Sequence, residues 1–526
     1  MNLRKLASLL LALAMLLASC ALADFANSTV LPYEGEDTGY TISIWEVITN
    51  SNTYKYISSY AENTAWAERA RRCGVTLEWK HPAIGSEQAD FTLMMAGGEL
   101  PDLVSRVDQY YPGGVLAALD DGIFLDVTDM LEEKCPNLWS LFEGNPDYKR
   151  ECFSDDGTFL GFTGVTSDWK DGKLVVIQGY PSEGPVIRED MVEGVGMTDP
   201  KTIDEWYEVL TAIKEAYEPK VVLNFNDDDH VFVGAYNIGP GFCLDDEGKA
   251  AYGPYTDAYL DYLTEMHKWF DEGLIDPEYV TRDSDAMTAL INNGDVAASA
   301  FRNTAFHTEQ ASVYNRVWNA TVYPSSVEGE EAKWRVSRAL NTGCATMINA
   351  NLANDPDKLD VVLKLLDFGY SEEGAYLMNC GIYGQDYLSV QPNGRVDYIE
   401  KYTENGNKMY SQMKEVFRSN AGSYLKPAPT LFNPAYFVEG TVEIIQLRLG
   451  NTDNVLPQVT LTTEESTRKS ELMTDITNYV NEMEDKFIMG IVSLDEYDSY
   501  IAKLEEMGIE EVIAIYQAAC DRYYAR

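Results

Sequence analysis

Basic residues are scarce in this chain. Of its 526 residues, 40 are Lys or Arg against 85 Asp or Glu, a formal net charge of -45. A surface of that sign repels nucleic acid and anionic headgroups at long range, so no nucleic-acid partner is expected and the acidity reads as a solubilising surface. Histidine is scarcer still: His81, His230, His267 and His307 are scattered without metal-ligand spacing. None of the 8 cysteines forms a Cys-x-x-Cys pair, so neither a zinc site nor a dithiol redox site is expected, and no metal or cofactor is assigned. Beyond the first two dozen residues no run is long and apolar enough to span a bilayer. Internal repeats, heptads and long Pro, Gly or Ser linkers are also missing, which excludes solenoids, coiled coils and lobes strung on a flexible tether.

What is present begins at the N-terminus. MNLRKLASLLLALAMLLASCALA carries Arg4 and Lys5 ahead of an apolar stretch from Leu6 to Leu17, too short for a mature membrane helix and shaped as an export signal. Its Leu17-Ala18-Ser19-Cys20 resembles the bacterial lipobox, in which Cys20 is diacylated and becomes the new N-terminus. Cleavage after Ala21-Leu22-Ala23 is the competing reading. Two acyl chains hold a protein stably at a membrane where one does so marginally. The expectation is an extracytoplasmic protein, lipid-anchored to the outer face of a bacterial cell membrane. Residues 1–20 are the signal and 21–40 a polar tether. Seven other cysteines remain (Cys73, Cys135, Cys152, Cys243, Cys344, Cys380 and Cys520), read as small buried hydrophobes.

The folded body starts at Thr41. TISIWEVI alternates, NTAWAERARRCG reads as a helix stopped at Gly74, and VTLEWKHP alternates again, which is a βαβ opening. Such units build parallel sheets whose ligands lie beyond the carboxyl ends of the strands. FTLMMAGGELPDLV, residues 91–104, then stops a helix at Gly97-Gly98, with Asp90 as its cap. It restarts as a short strand, Leu103-Val104, that delivers Ser105-Arg106-Val107-Asp108-Gln109-Tyr110-Tyr111 at its carboxyl end. A guanidinium, a carboxylate and two phenols thus arrive together. Further helices open at a capping box, Thr202 with Glu205, at Asp355-Pro356, and at a second box, Ser493 with Glu496. Trp206 reads as core.

DFTLMMAGGELPDLV resembles a signature of the extracellular solute-binding proteins of family 1, lipoprotein receptors of ABC importers, and is closest to the larger LipO-like members. GGVLAALDDGIFLDVTDMLEEKCPNL, GPVIREDMVEGVGMTDPKTIDEWYEVLTAIKE, WFDEGLIDPEYV, LLDFGYSEEGAYLMNCGIYGQDY and the closing DKFIMGIVSLDEYDSYIAKLEEMGIEEVIAIYQAACDRYY are similar to segments of that family, in its order. The resemblance implies a two-lobe α/β fold of the periplasmic-binding-protein type (type II). Each lobe would be a mostly parallel sheet flanked by helices, and hinge crossings would join the lobes. It places lobe one at 41–163 and 302–384, and lobe two at 164–301 and 385–526, including the C-terminal helices. One departure stands out. Where larger members carry a calcium loop after the helix matching TIDEWYEVLTAIKE, this chain runs EAYEPKVVLNFNDDDH, without the ligand alternation of an EF-hand. Asp227-Asp228-Asp229 reads as a solvated acidic loop.

A sugar shows hydroxyls at its edge and C–H groups on its faces, so its site needs aromatic platforms and a rim of carboxylate, amide or guanidinium groups. The family reading puts Trp45, Glu46, Arg106 and Asp108 on lobe one's side of a cleft, and Trp169 and Tyr180 on the other. Arg302 stands where the chain returns, and Tyr383 and Tyr424 lie near the last crossing. The implied function is capture of a small solute, a sugar or oligosaccharide, by closure of the lobes. It implies ABC permease subunits as partners, a monomer, and no enzymatic step. The alternatives are a secreted carbohydrate-active enzyme, although no nucleophile or paired-carboxylate motif supports one, and a binding lipoprotein without a transporter.

Overall fold

The computed structural model describes residues 36–48, 57–177, 183–225, 230–303, 306–307, 310, 313–335, 340, 343–400, 422–427, 447–448 and 451–526. Its strands are β1 (Thr41–Trp45), β2 (Thr76–Lys80), β3 (Leu103–Val104), β4 (Val165–Lys170), β5 (Lys173–Val176), β6 (Glu183–Arg188), β7 (Val221–Asn224), β8 (Phe242–Leu244), β9 (Ala250–Tyr252), β10 (Val296–Asn303), β11 (Trp318–Ala320), β12 (Met347–Ile348), β13 (Tyr387–Val390), β14 (Val396–Tyr398) and β15 (Leu425–Pro427). The chain divides into two compact units. The first holds the described residues of Met1–Phe153, Thr158–Ile177 and Leu340–Pro434; the second holds those of Ser154–Gly157, Gln178–Ala339 and Ala435–Arg526.

These divisions differ from the lobes expected from sequence, and strand pairing gives the reason. β4, expected in lobe two, pairs with β5 and β15, and β15 is tied to the first unit by Leu425 N donating to Gly369 O at 3.0 Å and Asn379 Nδ2 donating to Leu425 O at 2.9 Å, so Trp169 belongs to the first unit. β10, expected to lead back into lobe one, pairs with β6 and β7, and β11 also joins β6, so Arg302 and the described residues from it to 335 stay in the second unit, while 340 and 343–384 lie in the first. Residues 385–400 and 422–427, with Tyr424, belong to the first unit rather than to lobe two.

In the first unit the main sheet runs β12-β3-β1-β2. β1 is parallel to β2 and β3, while β12 is antiparallel to β3, so the sheet is mixed. The βαβ opening forms as read. Asn63 accepts from the Trp66 N–H to cap the helix Thr64–Cys73, and Gly74 ends it in the left-handed region at φ 70°. The helix after it spans Glu87–Gly97, with Gly98 at φ 73° as its stop. Its cap position is Ser86 rather than Asp90, whose carboxylate sits in the first turn and accepts from Ala83 N at 2.9 Å. An added Cβ meets nothing within 4 Å at Gly97 or Gly98, so only backbone conformation separates the two. We expect Gly98→Ala to cost about 1 kcal/mol, the price of a left-handed alanine, and Gly97→Ala to gain about 0.5 kcal/mol; urea unfolding of both variants measures this.

In the second unit the sheet runs β11-β6-β10-β7, in which only β10 and β7 are parallel. The Thr202–Glu205 capping box opens the helix Ile203–Tyr217 with both reciprocal bonds at 3.2 Å. Trp206, fully buried, lies in the unit's core as read. Only Glu218, Pro219 and Lys220 separate that helix from β7, too few for an EF-hand loop of about twelve residues. Asp227-Asp228-Asp229 lies outside the described residues. The second expected box is a simple cap: Ser493 accepts from Asp495 N, and a short 3-10 turn precedes the helix Tyr497–Glu506. The C-terminal helices add Phe487, Ile488, Tyr500 and Leu504 to the same core. Glu484 accepts from the Tyr259 and Tyr262 hydroxyls at 2.8 and 2.9 Å.

None of the seven described cysteines forms a disulfide with another described residue, and six of them are buried. Burial pushes Cys73 and Cys520 up to about 11, which suits packing rather than reactivity. No described helix is long and apolar enough to cross a membrane. Cys20 lies outside the described residues.

Candidate functional site

β1 and β3 lie side by side in parallel, Trp45 opposite Val104, so the residues after each strand emerge at the same end of the sheet. The Ser105 N–H donates to the Trp45 carbonyl at 3.1 Å and keeps the two exits together. Arg106 then takes the left-handed region at φ 60°, an uncommon conformation for a residue with a side chain. That turn ends the strand and starts the short helix Val107–Tyr110. The stop at Gly98 and the two-residue strand therefore position Arg106 next to Glu46.

Glu46 is only 3% exposed and Arg106 only 9%. Arg106 Nε lies 3.7 Å from Glu46 Oε1, and its Nη1 donates to Gln109 Oε1 at 3.0 Å. The same Glu46 oxygen accepts from Val47 N at 3.0 Å and from the Ser105 hydroxyl at 2.7 Å. Among the described residues, the carboxylate's hydrogen bonds and ion pair all fall on Oε1, which leaves Oε2 as an acceptor for something else. Burial raises the Glu46 pKa, opposed by Arg106, Ser105, the Val47 N–H and the charge of Lys426. A guanidinium beside a carboxylate with an unspent oxygen forms a donor–acceptor edge, the arrangement that holds neighbouring sugar hydroxyls.

The neighbouring predicted residues act differently. Trp45 is 4% exposed and meets Phe91 and Tyr110 edge-on, at 5.5 and 6.0 Å, so it is a wall of the core rather than an open platform. Asp108 spends one oxygen on Cys344 N at 3.0 Å and the other on Ala345 N at 2.7 Å, clasping the chain before β12. Desolvation of its carboxyl raises its pKa against those two bonds. Tyr110 also borders an open groove of about 710 Å³ along the Glu87–Gly97 helix, lined by Ser86, Gln88, Thr92, Leu93 and Ala96.

The remaining predicted residues lie elsewhere. Trp169 is fastened to the β13–β14 hairpin, its Nε1 donating to Pro392 O at 3.1 Å and its ring 6.2 Å from Tyr376. Tyr383 packs edge-on against Tyr387 at 5.6 Å. Tyr424 is 1% exposed, a core residue with the Lys426 ammonium 5.5 Å from its ring. Arg302, in the second unit, stacks its guanidinium 5.7 Å from Phe306. Tyr180 lies outside the described residues. Sequence reasoning passed over Ser105, Gln109 and Lys426, although the first two stand in the quoted loop and their polar side chains were the available signal. No cluster of three His, Cys, Asp or Glu suited to a metal ion occurs among the described residues.

No family model matches the chain. FusA of Streptococcus pneumoniae serotype 4, a fructooligosaccharide ABC transporter substrate-binding protein, is 23% identical, with 86% of each chain covered. Lipoprotein LipO of Bacillus subtilis is 25% identical over 56% of this chain and 58% of its own length. Among solved structures, the alginate-binding protein AlgQ2 without calcium ion matches with a TM-score of 0.72 at 20% identity, covering 93% of this chain and 99% of its own. The fold is that of the two-domain extracellular solute-binding proteins. The chain is a relative of the ABC-transporter substrate-binding proteins, as its sequence segments implied.

Proposed function

We propose that this protein is the extracytoplasmic capture component of an ABC importer and binds an oligosaccharide without altering it. The observation that carries the reading is the buried Glu46–Arg106 pair, whose unspent edge sits at the carboxyl ends of β1 and β3 in a solute-binding fold. Relatives that bind fructooligosaccharide and alginate support a carbohydrate ligand. Glu46 and Arg106 contact the sugar, Ser105 and Gln109 hold them, and Trp45 with Asp108 shapes the wall behind. Trp169, Tyr180, Arg302, Tyr383 and Tyr424 remain candidate contacts from the family pattern. Closure of the two units on the ligand is the expected response, because binding energy that favours one state shifts the population towards it. Diacylation at Cys20 would hold a monomer at the membrane beside its permease.

A thermal-shift panel of fructo-oligosaccharides, alginate fragments and oligogalacturonides tests the proposal. A ligand present at a hundred times its Kd adds about 2.7 kcal/mol of stability and raises Tm. Glu46→Gln keeps the shape but converts a charged acceptor to a neutral one, so its affinity for the best ligand is expected to fall about tenfold. A flat panel, or an unweakened Glu46→Gln, rejects the assignment; new products after incubation would favour an enzyme instead.

A further inference from the structure

His81 stands one residue past β2, beside the Glu46 backbone. Its Nδ1 is 2.8 Å from the Glu46 carbonyl oxygen, and its Nε2 is 3.3 Å from the Tyr60 backbone nitrogen and 3.0 Å from the Ser59 hydroxyl. A carbonyl can only accept, so the proton is on Nδ1. A backbone N–H can only donate, so Nε2 is bare. The two neighbours thus specify one neutral tautomer. The ring is held in that place by Trp79, stacked at 5.9 Å and 12°, and by Tyr60, edge-on at 5.4 Å.

We propose that His81 is a positioning residue for Glu46: its neutral ring fixes the backbone from which the carboxylate projects, and its protonation loosens that carboxylate and weakens ligand binding. This rests on the reading of Glu46 as a ligand contact. A second proton on Nε2 points a donor at the Tyr60 N–H, and Ser59, whose oxygen already accepts from Ala61 N at 3.1 Å, must turn to face it. The ring then gives up its place, and with it the bond to the Glu46 carbonyl. Glu46 keeps only its N–H bond to the Lys80 carbonyl, at 3.0 Å, on that side. The charged groups on the elements around the ring are Glu46 after β1, Glu62 in the turn Tyr60–Glu62, and Glu78 and Lys80 in β2. Glu62 is engaged by the Ser58 N–H and hydroxyl at 3.0 and 2.6 Å. Burial is the leading cause that holds His81 below the ordinary imidazole value, with the Glu46 carbonyl opposing it. The unfolded chain therefore takes up this proton more readily than the folded one, so stability also declines as pH falls below the ordinary histidine range.

Histidine-selective labelling with nitrogen-15 tests the tautomer, and amide exchange tests the positioning without any ligand. The Val47 N–H, which donates to Glu46 Oε1, reports the carboxylate's placement, and the Tyr60 N–H reports the ring's. At pH 7.5 we expect the Nδ1–H form and protection at both amides. At pH 5 protection is expected to fall about tenfold after correction for intrinsic rates, the size of one net hydrogen bond. His81→Gln supplies a donor and an acceptor that do not titrate, so it is expected to recover protection, to remove the step at Tyr60 and to leave at Val47 only the smaller step of Glu46's own protonation; His81→Ala lacks protection at both pH values. Calorimetry with kestose adds a binding readout, with Kd rising about tenfold from pH 7.5 to 5 in the natural protein and a smaller rise, left by Glu46 itself, in His81→Gln. An Nε2–H tautomer, or the same Val47 step in His81→Gln, overturns the inference. Intact exchange behaviour with no kestose heat supports the positioning and counts against a fructan as ligand.

Discussion

Arg106→Met is expected to lower the stability of the first unit by about 3 kcal/mol at pH 7.5 and to abolish measurable sugar binding, because it leaves the Glu46 carboxylate buried without its cation. The loss has a distinctive pH dependence. Burial already raises the Glu46 pKa, and removing Arg106 takes away the first of the forces that oppose the rise. A carboxyl whose folded pKa is raised destabilises the fold where it must ionise, and the penalty disappears as pH falls through that pKa. Urea unfolding should therefore show the gap between variant and natural protein narrowing from pH 7.5 to 5. Glu46→Gln combined with Arg106→Met should recover most of the stability and none of the binding, since a neutral pair needs no compensation. A gap that stays constant with pH, or a double variant as unstable as Arg106→Met alone, would mean the pair does not act as described.

The second large effect is expected at Arg69, which is fully buried in the helix Thr64–Cys73 and makes no contact with the proposed ligand edge. Its Nε and Nη2 donate to the Leu365 carbonyl at 3.1 and 2.7 Å, and Nη2 also reaches Leu366 O and Ser423 O at 3.3 and 3.4 Å. Two of those carbonyls belong to the last turn of the helix Pro356–Phe368, where a cation also meets the negative end of the helix dipole. Burial pulls Arg69 down to about 10, so it is still charged at neutral pH, and the Trp66 ring lies 4.7 Å from the guanidinium. Arg69→Met leaves the Leu365 carbonyl buried without its two donors, while Leu366 O keeps the Gly369 N–H at 3.2 Å, and a loss of about 3 kcal/mol is expected. Arg69→Lys keeps the charge but not the fork and should recover only part of it. Both are measured by urea unfolding followed by circular dichroism. Because Arg69 joins segments far apart in sequence, amide exchange should quicken in both 356–368 and 422–427; quickening confined to 64–73 would show that the link carries little.

Local chemistry was legible where local chemistry decides the outcome. The Gly98 stop, the Asn63 and Thr202 caps and the strand Leu103–Val104 follow from residues within a few positions of one another. The meeting of Glu46 with Arg106 was also readable, because two parallel strands ending side by side must present the residues that follow them together. The chain's allotment between units was not. Whether β4 joins β15 or a sheet of the second unit depends on pairings more than two hundred residues apart, which no local pattern encodes. The burial of Trp45 and Tyr424 and the two bonds of Asp108 are hidden from the sequence for the same reason. Aromatic and acidic side chains look alike in sequence whether they face a sugar or, like Asp108, two backbone N–H groups brought from residues 344 and 345.

The interleaved segments of the two units have a consequence for synthesis. The first unit needs residues as late as Leu425 to finish a sheet begun at Val165, and the second draws Ile509 into a core begun at Ile187. A chain released early from the ribosome therefore cannot complete the second unit, and exposes the greasy face that its final helices cover.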